Sequence, residues 1–415
     1  MLPDGWTERP LQDLAVKGIQ NGVFNKPEDV GSGYKLINVS DLYNEPYIDY
    51  NALKLLDVDA KTFDKFQVNE GDLFYTRSSL KLGGIAHCNI FNEEKSDVIF
   101  ECHIMRVRPN RNLVVPQFLH LYSHSHIARK QFIRNAKTTT MTTIDQGGLG
   151  SITIYLPPLE EQQEIVEIVY EWDKAADKLV KLIAKKQKQK KALMQRLLTG
   201  KHRFPEFEGQ EWQEVELGDI FKEVKTKVGE KEVVPHSITA GTGFVSHAEK
   251  WGKDISGKQY ENYTLLKKGQ FAYNKGNSKK YACGCMYLLR HEDEIAVPNV
   301  FISFERDKDN VCNEFYEQYF TADYCARELK RYITSGARSD GLLNLSKANF
   351  FSVEVPLPPL AEQQKIAAVL NAADKETDLL TQKLEAYQDQ KKGLMQQLLT
   401  GKKRVKIKEK EKAGA

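Results

Sequence analysis

Three short groups of cysteine and histidine have the residue types of a metal site. His87-Cys88 and Cys102-His103 lie in the first half of the chain, and Cys283 and Cys285 lie two residues apart in the second half. Thiolate and imidazole are the ligands that zinc prefers, but reliable zinc sites show a Cys-x₂-Cys spacing that all three groups lack. The sequence therefore favours thiols buried in strands and hydrogen-bonded histidines, and it predicts no metal ligand.

The motifs of nucleotide-dependent and methyl-transfer enzymes are missing from the sequence. Gly200-Lys201 and Gly401-Lys402 lack the upstream glycine and the following hydroxyl residue of a P-loop. Gly241-Thr242-Gly243 indicates a tight turn, because no acidic strand end follows it at a cofactor-binding spacing. No Asn/Asp-Pro-Pro-aromatic sequence of an amino-methyltransferase occurs. We therefore expect a chain without a catalytic site.

Composition restricts the class of protein further. The 415 residues are 41% hydrophobic and 28% charged, which is typical of a globular protein of two or three domains. A formal net charge of +3 excludes a polycation that holds nucleic acid by bulk charge, but it permits a local basic patch. We expect no membrane span and no signal peptide. Six scattered cysteines favour a reducing cytoplasm.

The elements that must position any site are arranged as a duplication. Leu-Pro-Pro-Leu-x-Glu-Gln-Gln begins at Leu156 and again at Leu357, 201 residues later, and Leu-Leu-Thr-Gly-Lys ends both blocks. About half of the aligned positions between 156–203 and 357–404 are identical. The chain is therefore a tandem repeat in which each variable block precedes a similar block.

Each similar block has the pattern of one long helix. Apolar residues recur at an alternating four-three spacing, which predicts the seam of a coiled coil. The predicted seam residues are Ile165, Val169, Trp172, Leu179, Ile183, Leu193, Leu197, Ile366, Leu370, Leu380, Leu384, Tyr387, Leu394 and Leu398. Lys190 and Lys391 occupy equivalent seam positions, where they either set the register or extend into solvent. Glu160 and Glu161 in the first turn suit the helix dipole, and Gly200 and Gly401 are expected at left-handed C-caps.

The fold class that we predict is α+β. Two mixed α/β domains are separated by two long antiparallel coiled-coil helices, with a pseudo-twofold internal repeat. Helical stretches are expected at 118–132 and 314–332, and a strand is expected to precede each Pro-Pro pair. The expected boundaries are a first domain at 1–155, a helix at 156–203, a second domain at 204–355, a helix at 356–403 and a basic tail at 404–415.

This pattern resembles the DNA-specificity subunit of Type I restriction-modification systems over nearly the whole chain. The repeated Leu-Pro-Pro-Leu-x-Glu-Gln-Gln and Leu-Leu-Thr-Gly-Lys sequences resemble the two conserved regions of that family. The segment 71–77 resembles a recurring turn of its target-recognition domains, and 271–275 and 336–344 resemble two others. The first domain departs from the family pattern at Lys137–Met141, so its DNA target should differ from that of the second domain.

The resemblance implies a non-catalytic subunit in which each domain binds one half of a bipartite DNA sequence while the helices set the spacer. Its implied partners are double-stranded DNA, two methyltransferase subunits that dock on the helices, and two restriction endonuclease/translocase subunits. No cofactor is expected in this chain, and S-adenosylmethionine is expected on the methyltransferase subunits. The alternative is a helical-hairpin interaction scaffold without a DNA role.

Candidate DNA-binding residues are polar side chains on loops that follow β-rich runs. Arginine and lysine can contact guanine or phosphate, serine and threonine can contact base or backbone, and asparagine can pair with adenine. In the first domain they are Arg77, Ser78, Ser79, Lys81, Lys137, Thr138, Thr139 and Thr140. In the second they are Asn274, Lys275, Asn277, Ser278, Lys279, Lys280, Arg338 and Ser339. A solvated turn is the alternative for any one of them, and Tyr273 is favoured as a core residue over a base-stacking one.

Overall fold

The computed structural model describes residues 2–24, 30–138, 140–255, 257–276, 278, 280–333 and 342–405. The strands of the first half are β1 (Thr7–Pro10), β2 (Ala15–Asn21), β3 (Val30–Ile37), β4 (Lys54–Leu56), β5 (Leu73–Thr76), β6 (Ser78–Ser79), β7 (Cys88–Ile90), β8 (Val98–Phe100), β9 (Ile104–Pro109), β10 (Lys137–Thr138), β11 (Thr142–Thr143) and β12 (Thr153–Leu156). Its helices are α1 (Ala60–Phe66), α2 (Pro116–His124), α3 (His126–Asn135), α4 (Gln146–Gly150) and α5 (Leu159–Leu197).

The second half has a corresponding set of elements. Its strands are β13 (Gln213–Glu216), β14 (Phe221–Glu223), β15 (His236–Thr239), β16 (Gly243–Ser246), β17 (Thr264–Lys267), β18 (Phe271–Asn274), β19 (Cys285–Leu288), β20 (Glu294–Val297), β21 (Ile302–Arg306) and β22 (Glu354–Leu357). Its helices are α6 (Leu217–Ile220), α7 (His247–Trp251), α8 (Asn313–Thr321), α9 (Ala326–Tyr332), α10 (Lys347–Phe351) and α11 (Leu360–Leu398).

Both halves build a four-stranded antiparallel sheet of the same topology. The strand order is β2-β9-β5-β7 in the first half and β14-β21-β18-β19 in the second. The inner strand β5 is buried along its whole length, as are the first three residues of β18. In each half the first strand also pairs with the last, β1 with β12 and β13 with β22. The predicted α+β fold with an internal repeat is therefore confirmed.

Contacts divide the chain into two compact units that cut across the sequence repeat. The first consists of Met1–Val180 and Gln382–Ala415, and the second is Lys181–Thr381. Each unit thus combines one α/β domain with the start of the helix that follows it and the end of the other long helix. In the first unit, Leu398 of α11 and the next residue, Leu399, share a hydrophobic core with Ile165 of α5. In the second, Leu197 of α5 shares a core with Ile366 of α11.

Within each unit the two helix segments run antiparallel. In the first unit Trp172 packs against Tyr387, with ring centroids 5.2 Å apart, and Lys391 pairs with Asp173. In the second unit the equivalent Lys190 Nζ lies 2.5 Å from Asp374 Oδ1. The polar seam lysines therefore form matching interhelical ion pairs, which favours a role in setting the register.

The predicted seam residues lie on one side of each helix. Those that are buried are Ile165, Val169, Leu179, Leu197, Ile366, Leu370 and Leu398. Those that are partly exposed are Trp172, Ile183, Leu193, Leu380, Leu384, Tyr387 and Leu394. The helices end as expected, because Gly200 and Gly401 have φ angles of 66° and 67°. Over the described residues, no helix is both long and apolar enough to cross a membrane.

A buried carboxylate near the start of each long helix ties it to the chain beyond the end of the other helix. Glu362 has a fully buried side chain and accepts from Arg203 Nε and Nη2 at 2.5 and 2.6 Å and from Trp212 Nε1 at 2.8 Å. Glu161 accepts from Arg404 Nε and Nη2 at 2.7 and 2.9 Å and from Trp6 Nε1 at 3.2 Å. The sequence suggested only a favourable dipole for Glu161, because its distant partners are not visible in a local pattern.

The glutamine after each of these glutamates docks the helix on its own α/β domain. Gln162 Nε2 donates to Leu113 O at 3.2 Å, and its Oε1 accepts from Val115 N at 2.8 Å. Gln363 makes the equivalent bonds to Asn310 O at 2.9 Å and Cys312 N at 2.8 Å. The repeated Glu-Gln pair is therefore a structural motif that joins each helix start to three other segments of its unit.

The predicted helical stretches at 118–132 and 314–332 are each broken in two. Ser125 ends α2 and caps α3, since its Oγ accepts from Ala128 N at 3.2 Å. Four residues, 322–325, separate α8 from α9, and Asp323 there has a φ of 61°. A serine side chain can replace the helical partner of a backbone N–H, so an apolar spacing alone does not reveal such a break.

The buried glutamates predict unequal losses of stability. Arg203→Ala should lower the free energy of unfolding of the second unit by about 3–5 kcal/mol, because it leaves a buried carboxylate without its cation. Arg404→Ala should cost the first unit less, since the Arg404 side chain is 42% exposed and that of Arg203 only 18%. Urea unfolding followed by tryptophan fluorescence measures both. Arg331→Ala, which removes an ion pair with Glu328, is the control. If this variant lost as much free energy of unfolding as Arg203→Ala, the prediction would be contradicted.

Candidate nucleic-acid interface

A small antiparallel sheet brings together the two polar segments of the first domain. Strand β11 pairs on one side with β6 and on the other with β10. Ser78 lies opposite Thr143 and Ser79 opposite Thr142, while Thr142 also faces Thr138. Residues that are about 60 positions apart in the sequence therefore form one polar edge, which we call the β6–β11–β10 edge.

Arg77 anchors this edge to the domain. Its backbone N–H donates to His103 O at 3.2 Å, and its carbonyl accepts from Ile144 N at 2.9 Å. Its Nη1 donates to Cys102 O at 3.0 Å. A guanidinium has five N–H donors, so this contact fixes the side chain while leaving donors for a ligand.

The other candidates of the first domain differ in what they can still bind. The Ser79 hydroxyl donates to Lys81 O at 2.8 Å and so serves the turn. Lys137 Nζ lies 3.3 Å from Asp145 Oδ2, and that carboxylate also caps α4 by accepting from Gly148 N at 2.7 Å. Ser78 is partly exposed, and Lys81, Thr138 and Thr140 are exposed, whereas Thr139 lies outside the described residues. Lys81, Thr138 and Thr140 are therefore presented to solvent, as is Lys137, whose side chain is 80% exposed despite its ion pair.

Sequence reasoning missed several residues at the same edge. Leu80 is 86% exposed between Ser79 and Lys81, although a large apolar side chain is normally buried. A pocket of about 330 Å³ is lined by Asn21, Arg77, Asp145, Gln146 and Gly147. Asn21 Oδ1 in this pocket is buried, and no hydrogen-bond partner for it is found among the described residues. The position of Leu80 inside a polar loop could have indicated its exposure from the sequence. Asn21 and Gln146 are distant in the sequence and reach the edge only in the folded domain.

The second domain places its polar segment at the equivalent position. Gly276 bridges to Leu342 in antiparallel fashion, and Leu343 N donates to Lys275 O at 3.0 Å. This matches the pairing of Ser78 with Thr143 in the first domain, because the segment that follows the inner strand again meets a late segment of its own domain. We call it the 275–280 edge.

Two candidates of the 275–280 edge and its strand are used internally. The Asn274 amide donates to Ile238 O at 3.3 Å and accepts from Gly276 N at 2.9 Å, so it shapes the turn. Ser278 Oγ accepts from Tyr281 N at 3.0 Å. Lys280 is exposed, with Nζ 5.3 Å from the Tyr281 ring centroid, and Lys275 is partly exposed. Asn277, Lys279, Arg338 and Ser339 lie outside the described residues.

Tyr273 is a core residue, as the sequence favoured. Its side chain is fully buried, its hydroxyl donates to Cys283 O at 2.6 Å, and its ring stacks on Phe350 at a centroid distance of 5.0 Å. Burial raises the pKa of this phenol, so it stays protonated. Tyr273 therefore holds its own strand, β18, in the core and is not available to a ligand at the surface.

A cleft of about 890 Å³ in the first unit has a different character. It lies between α2 and the adjoining segments of α5 and α11, and it includes His87, His120 and His124. Burial and the neighbouring histidines lower the pKa of His120 to about 3 and that of His124 to about 4, so both imidazoles are neutral at neutral pH. The cleft is also lined by Arg129, Lys391 and Lys392 and by Glu45, Asp173 and Asp177, so it has no excess of positive charge for a polyanion such as DNA.

Comparison with known proteins decides the family. A model of the type I restriction modification DNA specificity domain matches residues 3–190 and, separately, residues 209–387. The chain belongs to this family. The two matches follow the duplication, so each half of this specificity chain is one copy of the family domain.

Relatives with this family's name occur in archaea and bacteria. The protein named as the MjaX type I restriction enzyme specificity subunit of Methanocaldococcus jannaschii is 26% identical over 428 aligned positions, which cover 98% of this chain and 95% of the relative. The EcoBI specificity subunit of Escherichia coli is 26% identical over 187 positions, or 44% of this chain and 38% of the relative.

Solved structures share the fold at lower identity. A chain from a study of complex assembly and conformational transition of the type I R-M system is 15% identical, with a TM-score of 0.61 over 97% of this chain and 99% of its own length. The HsdS subunit of Thermoanaerobacter tengcongensis is 17% identical, with a TM-score of 0.53 over 96% of both chains. The fold is therefore common to these chains and to the protein described here.

Lys81, an exposed lysine beside the β6–β11–β10 edge, allows a test by the salt dependence of DNA binding. If Lys81 is one of the DNA-binding residues, Lys81→Ala should weaken binding and reduce the slope of log K against log salt by about 0.9, the value for one phosphate contact. Thermal unfolding should not change, since the Lys81 side chain is exposed. The affinity of the chain for DNA, measured across a salt series, tests this. Lys174→Ala on α5 is the control, and identical slopes for the two variants would contradict the prediction.

Proposed function

We propose that this specificity subunit binds a bipartite DNA sequence, with one half-site contacted by each domain. The observation that carries the proposal is the recurrence of a polar edge at the same place of the same fold, beside β5 in one domain and beside β18 in the other. Two recognition domains in one chain require two separate stretches of DNA. The sequence of the base pairs between these stretches is not recognised.

The two half-sites are expected to differ in sequence. The β6–β11–β10 edge offers Arg77 together with exposed hydroxyls, and an arginine fork matches the two acceptors of guanine in the major groove. At the corresponding position the 275–280 edge has Lys275 followed by Gly276, which presents a point charge in place of a fork. Because base contacts rather than phosphate contacts specify sequence, different side chains at equivalent places imply different bases.

The long helices are proposed to set the spacer and to dock two methyltransferase subunits. Large apolar side chains remain exposed on them, among them Tyr170 (49%), Val180 (50%) and Leu379 (55%). Such residues on a charged helix surface suit burial against another protein. S-adenosylmethionine would bind to those partners, and two endonuclease/translocase subunits would complete the restriction form. This chain would supply recognition without catalysis, in the cytoplasm where cellular DNA is reached.

The bipartite proposal predicts the pattern of methylation in cells that carry the system. Mapping modified adenines across the genome should return two short sequences at a fixed separation. Replacing residues 204–355 with the matching domain of a relative should change one of these sequences and leave the other unchanged. The unmodified chain serves as the reference. A single continuous target, or a change in both halves after the exchange, would contradict the proposal.

The spacer proposal predicts the effect of shortening both helices together. Lys186 pairs with Glu376 at 2.6 Å, so residues 180–186 and 376–382 form matching heptads whose joint removal keeps the helix register. The loss of seven residues shortens each helix by about 10 Å, close to the rise of three base pairs. Methylation mapping should therefore show a changed spacer with the same half-sites.

A variant of unchanged length controls for the loss of side chains in this deletion. Lys186→Ala combined with Glu376→Ala removes the same ion pair but keeps both heptads, so its spacer should equal that of the unmodified chain. Deletion of one heptad alone should abolish modification, because it takes the apolar seams out of register. A spacer that stays the same after the double deletion would show that the helices do not determine it.

A further inference from the structure

Three donor atoms of different chemistry meet in the turn between β8 and β9. His103 Nδ1 lies 3.5 Å from Cys102 Sγ and 3.3 Å from Glu101 Oε2, and all three atoms lie within 4.8 Å of one another. Within the described part of the chain, this is the one group of three such residues whose donors come so close. The sequence predicted an ordinary thiol and histidine here and gave no role to Glu101.

A hydrogen-bonded relay does not explain this cluster. Both contacts converge on the same ring nitrogen, which either donates to the Glu101 carboxylate or accepts from the Cys102 thiol. A catalytic relay needs the two opposite nitrogens of the ring. Burial, followed by the charge of Glu101, raises the pKa of the Cys102 thiol, so it is not an activated nucleophile in this form.

Two of the three distances between the donors, those from His103 Nδ1 to Cys102 Sγ and to Glu101 Oε2, match the edges of a tetrahedral zinc site. Zinc binds nitrogen and carboxylate oxygen at about 2.0–2.2 Å and thiolate sulfur at about 2.3 Å. At tetrahedral angles these bond lengths put nitrogen and oxygen roughly 3.3 Å apart and sulfur and nitrogen roughly 3.6 Å apart. The two observed distances are within about 0.1 Å of these values, which is within the usual tolerance for such a site.

The surroundings hold the donors while leaving one side open. Glu101 is 8% exposed, and its second oxygen accepts from Val39 N at 3.1 Å, which orients the carboxylate. The Cys102 carbonyl is held by Arg77. The His103 side chain is 62% exposed, and Cys102 alone among the six free cysteines is not buried. An ion at this turn would therefore be reached from solvent and would keep a fourth position for water.

We propose that Glu101, Cys102 and His103 bind one zinc ion. Binding releases the thiol proton to solvent, and the resulting thiolate and carboxylate balance the two positive charges of the ion. The ion then fixes the turn whose Cys102 and His103 carbonyls hold Arg77. The zinc site itself does not depend on the proposed DNA-binding function. Its effect on Arg77 does, because Arg77 belongs to the β6–β11–β10 edge.

Cobalt substitution tests the site on the full chain. Co²⁺ added to the metal-free protein should give sulfur-to-cobalt charge-transfer absorption and the intense visible bands of tetrahedral coordination, with one equivalent bound and displaced by zinc. Cys102→Ser should lose the charge-transfer band, and His103→Ala should weaken affinity by more than roughly tenfold. Cys283→Ser, a buried thiol of the other domain, should behave as the unmodified chain.

The result does not depend on DNA binding, so it separates this inference from the proposed function. Circular dichroism of each variant establishes that it is folded before metal is added. Absence of the charge-transfer band in the unmodified chain, or its persistence in Cys102→Ser, would overturn the zinc site. If zinc binds but its removal leaves the affinity for DNA unchanged, only the coupling to Arg77 is wrong.

Discussion

The structure depends on a carboxylate that is buried one turn into each long helix. Glu161 and Glu362 could not be buried alone, because an unpaired charge in the protein interior is costly. In each case the cation comes from the arginine that follows the other helix, and a tryptophan from the start of the same domain completes the carboxylate's partners. Each unit is therefore closed by residues from both repeats, and neither repeat folds into a unit with its own helix end.

This constraint fixes the position of the two polar edges that are proposed to bind DNA. The glutamine beside each buried glutamate bonds to the loop before α2 or α8, so the helix start and the α/β domain form one body within their unit. The inner strands β5 and β18 are buried in that body, and the polar edges begin where these strands end. A loop with few internal contacts can present arginine, lysine and threonine to a ligand only when its base is held in this way.

The charge balance of the chain fits this arrangement. With a net charge of +3, the chain does not hold DNA by bulk charge. Base contacts specify a sequence while phosphate contacts supply much of the affinity. The proposed recognition of bases by Arg77, Lys81 and their neighbours therefore fits an assembly in which partner subunits would supply part of the affinity for DNA.

The sequence by itself determined the duplication, the two long helices, their glycine caps and the family, and it predicted the seam, because each depends on local spacing or on identity between repeats. It also predicted that the segments at Arg77 and Lys137 carry the polar side chains of the first domain. Only the tertiary structure decided that these segments share a sheet, that Ser79 and Asn274 serve turns, that the stretch 118–132 is two helices, and that Glu101 joins Cys102 and His103. The physical reason is that hydrogen bonding and burial are settled between residues far apart in the chain, whereas periodicity records only which face of an element is apolar.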